Sequence, residues 1–390
     1  MFNVALAGLG WWGKIMVPQI KKSNKINVLK VVEPNAASTP GIAGYARTHG
    51  VELVTDLQAA LRDPEIQGVV LCTPHTLHTE QIVAVANAGK HVFCEKPLSM
   101  NRADVLRAVE AVNRNKVALA VGHERRFEPP IIEAMRMIHA GEIGTPLQIE
   151  ANFSQDKFLS LAADNWRLST EEAPAGPMTA TGIHLLDLSV GVFGEAAQVF
   201  ASVKQLDSQL VNGDTLAIML TFKKGGHALI SAVLATPFDG RFAVYGSKGW
   251  VEVRDKTHPE APEGWVLTKV IRGQPRVVKE YAPAPNVLAN LEAFADAAEA
   301  VLAFASDFFD GDLFTVFPAC AFCDDDERAA QVAEEEPLHH EDQDDPDQHV
   351  VQHGVGGDGD EVGAVVDPLD AHAGRQDAGG LDPGDLGLHR

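Results

Sequence analysis

ALAGLGWWG occupies residues 5–13, close to the start of a 390-residue chain. The apolar run before it predicts a strand and residues 14–22 predict a helix. The spacing G-x-G-x-x-G therefore falls in a strand-to-helix turn, as a dinucleotide-binding site requires. The first glycine allows the tight turn, the second lets the backbone approach a pyrophosphate, and the third lets the helix pack on the strand. The predicted cofactor contacts of the turn are Gly8, Leu9, Gly10, Trp11, Trp12 and Gly13.

An acidic residue follows the second predicted strand. Residues 26–32 form an apolar run that ends at Glu33, twenty positions after Gly13. A carboxylate there accepts hydrogen bonds from the adenosine ribose and repels a 2′-phosphate. The next residues, PNA at 34–36, include no arginine. The pattern favours NAD over NADP, the alternative being a turn without a ligand and a solvated glutamate.

Strand and helix patterns alternate through residues 1–122 and predict an NAD-binding, doubly wound α/β domain with a parallel sheet. The strand-like runs are residues 3–7, 26–32, 68–72, 91–94 and 117–121. Residues 123–303 change character, because alternating apolar runs separated by glycine and aspartate turns predict an open, mostly antiparallel sheet with flanking helices. This second α+β domain is expected to bind the substrate and to form oligomers.

Two loops at predicted strand ends carry chemically useful residues, and ligands bind at these ends in such folds. The first loop is CTPHTLH (72–78) and the second is CEKPL (94–98). Lys96 extends from an apolar wall beside Glu95, which favours a catalytic role over that of a surface lysine. His75 and His78 are equally consistent with cavity-lining groups and with helix caps.

The order of motifs resembles the Gfo/Idh/MocA family of oxidoreductases over about residues 1–300. The matching segments are GLGWWG (8–13), TPH (73–75) with His78, EKP (95–97), RF (126–127), WR (166–167) and GIHLLD (182–187). The resemblance implies Lys96 and His184 as catalytic residues, and homodimers or homotetramers formed through the sheet face. It adds Thr73, Pro74, His78, Glu95 and Lys96 to the expected cofactor contacts. The residues expected to contact substrate are Arg126, Trp166, Arg167, His184 and Asp187.

These residues suit the oxidation of a secondary alcohol in a sugar, cyclitol or polyol by NAD. A lysine near an oxidised nicotinamide has a lowered pKa and accepts the hydroxyl proton, and a histidine orients the hydroxyl or shares the proton. Family members often carry Asp four residues before this histidine, where this chain has Ala180. That departure leaves three alternatives open: an NAD-binding sensor or co-repressor without redox activity, an NAD-dependent glycoside-cleaving enzyme, or an inactive product.

The net charge of −22 is concentrated in one segment. Residues 301–390 hold 23 acidic and 3 basic residues, which leaves 31 acids and 29 bases in residues 1–300. A nearly neutral globular part argues against nucleic acid as a partner. No apolar run is long enough for a membrane span, and no signal peptide is evident. Four cysteines in so long a chain predict reduced thiols in the cytoplasm.

Residues 304–390 form an acidic, low-complexity tail. From position 324 onward only ten residue types occur, and all ten have codons that begin with G or C. This composition predicts either a disordered tail or an out-of-frame product of a GC-rich gene. Cys320 and Cys323 with His339 and His340 match no standard zinc spacing, so no metal is expected.

Overall fold

A computed structural model describes the backbone of residues 1–307 and the side chains of residues 1–301. The predicted tail beyond residue 307, with Cys320 and Cys323, lies outside the described residues. Among the helices of residues 1–307, none is both long and apolar enough to cross a membrane.

The first domain is built on a parallel sheet of six strands in the order β3-β2-β1-β4-β5-β6. Its strands are β1 (Phe2–Ala7), β2 (Ile26–Val32), β3 (Glu52–Val54), β4 (Gly68–Leu71), β5 (His91–Glu95) and β6 (Leu119–Gly122). Its helices are α1 (Trp11–Ile20), α2 (Ile42–Thr48), α3 (Leu57–Leu61), α4 (His78–Asn87) and α5 (Arg102–Asn115). The sheet is covered on both faces, because two separate clusters of buried apolar residues flank it. This arrangement confirms the predicted doubly wound fold.

The second domain is an eight-stranded sheet in the order β14-β13-β12-β11-β7-β10-β9-β8. Its strands are β7 (Pro146–Ser154), β8 (Ala196–Lys204), β9 (Thr215–Phe222), β10 (His227–Val233), β11 (Asp239–Gly246), β12 (Gly249–Asp255), β13 (Trp265–Ile271) and β14 (Val277–Tyr281). Only β7 and β10 pair in parallel, so the predicted, mostly antiparallel sheet is also confirmed.

Two helices, α6 (Pro129–His139) and α7 (Ile183–Phe193), pack on one face of this sheet. The strands alternate between buried residues on that face and exposed residues on the other, as in β9, where Leu216, Ile218 and Leu220 are buried. The opposite face is open across β8, β9 and β10, where Phe200, Met219 and Leu229 are neighbours in register and exposed.

The last described helix, α8 (Asn286–Asp307), returns to the first domain. Leu291 and Phe294 of α8 are fully buried in the same apolar cluster as β1 and β2. Its polar side also contacts the first domain, because Lys25 pairs with Asp296 and Ser23 donates a hydrogen bond to Glu292. The predicted second domain, 123–303, therefore includes a helix whose packing belongs to the first.

Candidate active site

The glycine-rich turn divides into two packing positions and one open position. Gly8 has a left-handed φ of +94°, and a Cβ there would lie 2.6 Å from the carbonyl oxygen of Cys72. A Cβ on Gly13 would lie 1.9 Å from the carbonyl oxygen of Gly8. A Cβ on Gly10 would meet nothing within 4 Å. The chain's own packing thus requires the first and third glycines, whereas the space beside Gly10 is free for a ligand.

The start of α1 suits an anionic ligand. Gly10 is the N-cap of α1 and supplies no side-chain cap, and the first turn contains no acidic residue. Backbone amides at a helix N-terminus attract phosphate groups. Together with the open space at Gly10, this turn fits the pyrophosphate of a dinucleotide.

Glu33 lies directly beside the turn. Its carboxylate accepts hydrogen bonds from the backbone N–H of Leu9 at 3.0 Å and from that of Asn35 at 3.2 Å. The side chain of Leu9 is buried in the core of the first domain. The glutamate is therefore held against the turn by backbone donors from two loops.

A cavity of about 440 Å³ lies between the strand ends of the first domain and the second domain. Of the residues predicted from sequence, it is lined by Trp11, Trp12, Thr73, Glu95, Lys96, Trp166, Arg167 and His184, and also by His75 and Ala180. The carboxyl ends of β4, β5 and β6 all reach it, as the strand-end rule expects.

Lys96 extends into this cavity immediately after β5. Its ammonium donates hydrogen bonds to the backbone carbonyls of Ala180 at 2.9 Å and Thr179 at 3.2 Å. Both carbonyls belong to a π-helical turn, Met178–Gly182, that leads into α7. Burial lowers the pKa of Lys96, while the carboxylates of Glu124 and Glu95 act against this shift.

Glu95 and Glu124 are two carboxylates buried near Lys96. Burial, and next the charge of Glu124, raise the pKa of Glu95 to about 8. Gly122 makes room for the Glu95 carboxylate, since a Cβ at Gly122 would lie 2.5 Å from one of its oxygens. Burial also raises the pKa of Glu124, and the charge of Lys96 opposes that shift. The site thus surrounds one amine with two acids that ionise less readily than usual.

His184, the second residue of α7, is 4 % exposed. Its Nε2 lies 3.9 Å from Oε1 of Glu124, and its Nδ1 has no hydrogen-bond partner among the described residues. Burial, with the charge of Lys96 next, lowers the pKa of His184 well below its ordinary value. The imidazole is therefore neutral at physiological pH and available to a ligand hydroxyl.

Arg126 and Asp187 pair with each other outside the lining of the cavity. The guanidinium donates two hydrogen bonds of 2.6 Å to the carboxylate, and Nε2 of His123 lies 3.7 Å from the same group. The pair joins the 3₁₀ turn Glu124–Phe127 to α7. These two side chains thus fix the position of the elements that carry Glu124 and His184.

Trp166 and Arg167 come from a loop of the second domain and face the glycine-rich turn. The Arg167 guanidinium lies 4.2 Å from the ring centre of Trp166 and 5.7 Å from that of Trp11. The ammonium of Lys157 lies 4.8 Å from the ring centre of Trp11. Trp11, the first residue of α1, is thus approached by two cations of the second domain.

The loop after β4 connects neighbouring strand ends. Thr73 lines the cavity, and Pro74 precedes a 3₁₀ turn over His75–Leu77. His75 donates through Nδ1 to the carbonyl of Glu172 at 2.9 Å, which links this loop to the second domain. His78 is fully buried at the start of α4, with its ring nitrogens 2.7 Å from the carbonyl of Pro97 and 3.0 Å from that of Thr73.

Several cavity residues are absent from the sequence-based selection. The polar ones are Glu124, Gln155, Lys157, His258 and Glu260. Glu124 follows the carboxyl end of β6 just as Lys96 follows β5, so the strand-end rule provided a signal for it. The others come from loops of the second sheet, where Lys157 pairs with Glu260 and His258 bonds to Gln155. Only the fold brings those loops together.

Comparison with known proteins gives the family. The NAD-binding Rossmann-fold model of the Gfo/Idh/MocA oxidoreductases matches residues 2–123, and the C-terminal domain model of the same family matches residues 131–252. An uncharacterized oxidoreductase of Bacillus subtilis, YrbE, is 29 % identical over 278 residues, which are 69 % of this chain and 78 % of that protein.

Two further relatives extend the comparison. A myo-inositol 2-dehydrogenase of Thermotoga maritima is 32 % identical over 212 residues, which are 52 % of this chain and 61 % of that protein. The crystal structure of an aldose-aldose oxidoreductase from Caulobacter crescentus superposes with a TM-score of 0.68 at 24 % identity, over 77 % of this chain and 90 % of that one, and this likeness concerns the fold alone. On the two matched domain models, the chain belongs to the Gfo/Idh/MocA family of oxidoreductases.

Proposed function

We propose that this chain is an NAD-dependent dehydrogenase that oxidises a secondary alcohol of a sugar, cyclitol or polyol. The observation that carries the proposal is the shared cavity, which is lined by the start of α1, by Lys96 and by His184. The named activity of the myo-inositol dehydrogenase relative supports the substrate class. A cavity of about 440 Å³ is of a size that suits a small polyol beside a nicotinamide ring.

The residues of the chain have distinct roles in the proposed reaction. The glycine-rich turn and Glu33 hold the dinucleotide, and the bound nicotinamide supplies the hydride acceptor. Lys96, whose pKa burial lowers, accepts the proton of the substrate hydroxyl. Neutral His184 orients that hydroxyl through a hydrogen bond. Trp166 and Arg167 close the substrate side.

Other predicted contacts have indirect roles. Thr73, Pro74 and His78 shape the loop beside the cofactor, and Glu95 sets the charge around Lys96. Arg126 and Asp187 keep the two cavity-lining elements in register through their mutual ion pair. Ala180 contributes a backbone carbonyl to Lys96 instead of a carboxylate.

The preference for NAD over NADP rests on Glu33. Its carboxylate is held beside the turn by the N–H of Leu9, where it repels a 2′-phosphate. In the Glu33→Gln variant the amide oxygen still accepts that hydrogen bond, so the turn is kept and the charge is lost. We expect the ratio of NADPH to NADH affinity to rise by about tenfold or more, equivalent to about 1.4 kcal/mol.

Titration of the purified chain with NADH and NADPH, followed by tryptophan fluorescence, tests this proposal, since Trp11 and Trp12 lie at the turn. Saturable binding that favours NADH, followed by NADH production from one member of a polyol panel, is the expected result. Tight binding without turnover on any alcohol would identify the non-redox sensor instead.

We further propose that copies of the chain associate through the open face of the second sheet and act in the cytoplasm. Phe200, 67 % exposed, adjoins Met219 and Leu229 in a continuous apolar stripe. Apolar patches of this kind mark association surfaces. Cys72 and Cys94 are free thiols, as a reducing compartment favours. Light scattering is expected to give the mass of a homodimer or homotetramer.

A further inference from the structure

Glu124 is a buried carboxylate that the proposed reaction has not used. It stands in the 3₁₀ turn just after β6, lines the cavity and is 13 % exposed. Its Oε1 lies 3.9 Å from Nε2 of His184, and its Oε2 is buried without a hydrogen-bond partner among the residues described. A buried carboxylate oxygen with no donor is costly unless a nearby positive charge or a ligand compensates for it.

The compensating charge is Lys96. Among charged groups, Glu124 has the largest effect on Lys96, and Lys96 has the largest effect on Glu124. The acid therefore interacts with the proposed proton acceptor and lies beside the proposed hydroxyl-orienting group. It comes from the segment that joins the two domains, whereas Lys96 and His184 come from the first and the second domain.

We propose that Glu124 is a positioning residue that stabilises the protonated form of Lys96 and holds His184 in place beside it. This inference rests on the proposed function. In the oxidation, the substrate C–H bond gives its hydride to NAD, the O–H proton moves to the neutral amine of Lys96, and a carbonyl forms. A positive charge disappears from the nicotinamide and appears on Lys96, and the Glu124 carboxylate balances it there.

The groups around this pair come from every neighbouring element. They are Glu95 after β5, His123, Arg125 and Glu128 beside Glu124, His184 and Asp187 on α7, Arg167 and Trp166 in the second-domain loop, and His75 after β4. Glu95 is the other acid near Lys96, and Arg167 is the nearest competing cation. Arg125 is engaged by Asp255 and Glu128, so it does not neutralise the acid beside His184.

The test measures the pH midpoint at which Lys96 becomes reactive in the full-length protein. Trace acetylation across a pH series, with the Lys96 peptide quantified by mass spectrometry against that of exposed Lys204, gives this midpoint without any substrate. In Glu124→Gln the negative charge is lost, the pKa of Lys96 falls, and the midpoint is expected to move to lower pH by about one unit or more. Glu124→Asp keeps the charge and is expected to restore most of the shift.

Two controls keep the result interpretable. Glu133→Gln removes an exposed acid of α6 that pairs with Arg136, and it should leave the midpoint unchanged. Should Glu124→Gln not fold, Glu124→Met replaces the buried acid with an apolar side chain of similar length and should give the same shift. A folded Gln or Met variant with the wild-type midpoint would overturn the inference.

Kinetics separate this inference from the proposed function. With an active substrate, the acid limb of kcat/KM should move to lower pH in Glu124→Gln together with the labelling midpoint, and kcat should fall more than KM changes. A shift in labelling without turnover by the wild-type protein would sustain the inference on Glu124 and Lys96 while refuting the dehydrogenase. Turnover without any shift would do the reverse.

Discussion

Replacing Gly10 with alanine separates a ligand-binding glycine from a packing glycine in the same turn. Gly10 has φ −66° and ψ −168°, which alanine adopts without strain, and the added Cβ meets nothing within 4 Å. Alanine is a poorer N-cap than glycine, so we expect a loss of roughly 0.5–1 kcal/mol in the free energy of unfolding. Gly13→Ala is the matched control, because its Cβ would lie 1.9 Å from the carbonyl oxygen of Gly8. It should cost about 3 kcal/mol or more by forcing α1 away from β1.

The binding of NADH should respond in the opposite order to stability. The methyl group at position 10 fills the space where the backbone meets the pyrophosphate, so we expect Gly10→Ala to bind NADH at least about tenfold more weakly, a change of about 1.4 kcal/mol. Denaturant melts measure stability, and tryptophan fluorescence measures binding. A Gly10→Ala variant that binds NADH as tightly as the wild type would refute the assignment of this turn. One as unstable as Gly13→Ala would refute the packing argument.

Two further predictions concern Lys96 and His91. Lys96→Met should keep NADH binding but lower kcat by about 10² to 10⁴, the usual contribution of a general base, and steady-state kinetics measures this. His91 is buried at the start of β5 and accepts a hydrogen bond from the N–H of Ala118 at 3.0 Å, and burial lowers its pKa to about 4. Because the unfolded pKa is about 6.5, stability from this group is present above pH 6.5 and is lost as the pH falls toward 4, with about 2 kcal/mol lost at pH 5. Denaturant melts at pH 7 and pH 5 should show a correspondingly smaller loss in His91→Gln, and equal losses would contradict the prediction.

The sequence predicted the elements whose patterns are strong. β4 is a run of four buried residues and β2 begins and ends where its apolar run does, so both are evident without a structure. β3 was missed because it has three residues, none of them buried, and α2 because it starts after Gly41 in a left-handed conformation and contains Gly44. The helix predicted over residues 176–194 begins instead with a π-helical turn, since its carbonyls at 179 and 180 bind Lys96.

The candidate site was predictable only as far as strand ends and short motifs reveal it. Lys96 and His184 were selected from such signals, and both line the cavity. Gln155 and His258 were not, because they are 103 positions apart and meet only through the order of strands in the second sheet. Asp187 illustrates the opposite limit, since a residue one helical turn from His184 faces Arg126 instead of the cavity.

The return of α8 makes the chain cross between its two domains twice. The first crossing runs through the turn that carries Glu124, and the second enters α8 at Asn286, which lines the cavity. The two crossings pack against each other, because α8 contacts the turn Glu124–Phe127. Two adjacent covalent links act as a hinge axis, so the domains can rotate about this joint but cannot slide apart. Any closing rotation therefore pivots beside the reacting groups, and a ligand held by either domain is sensed at the same joint.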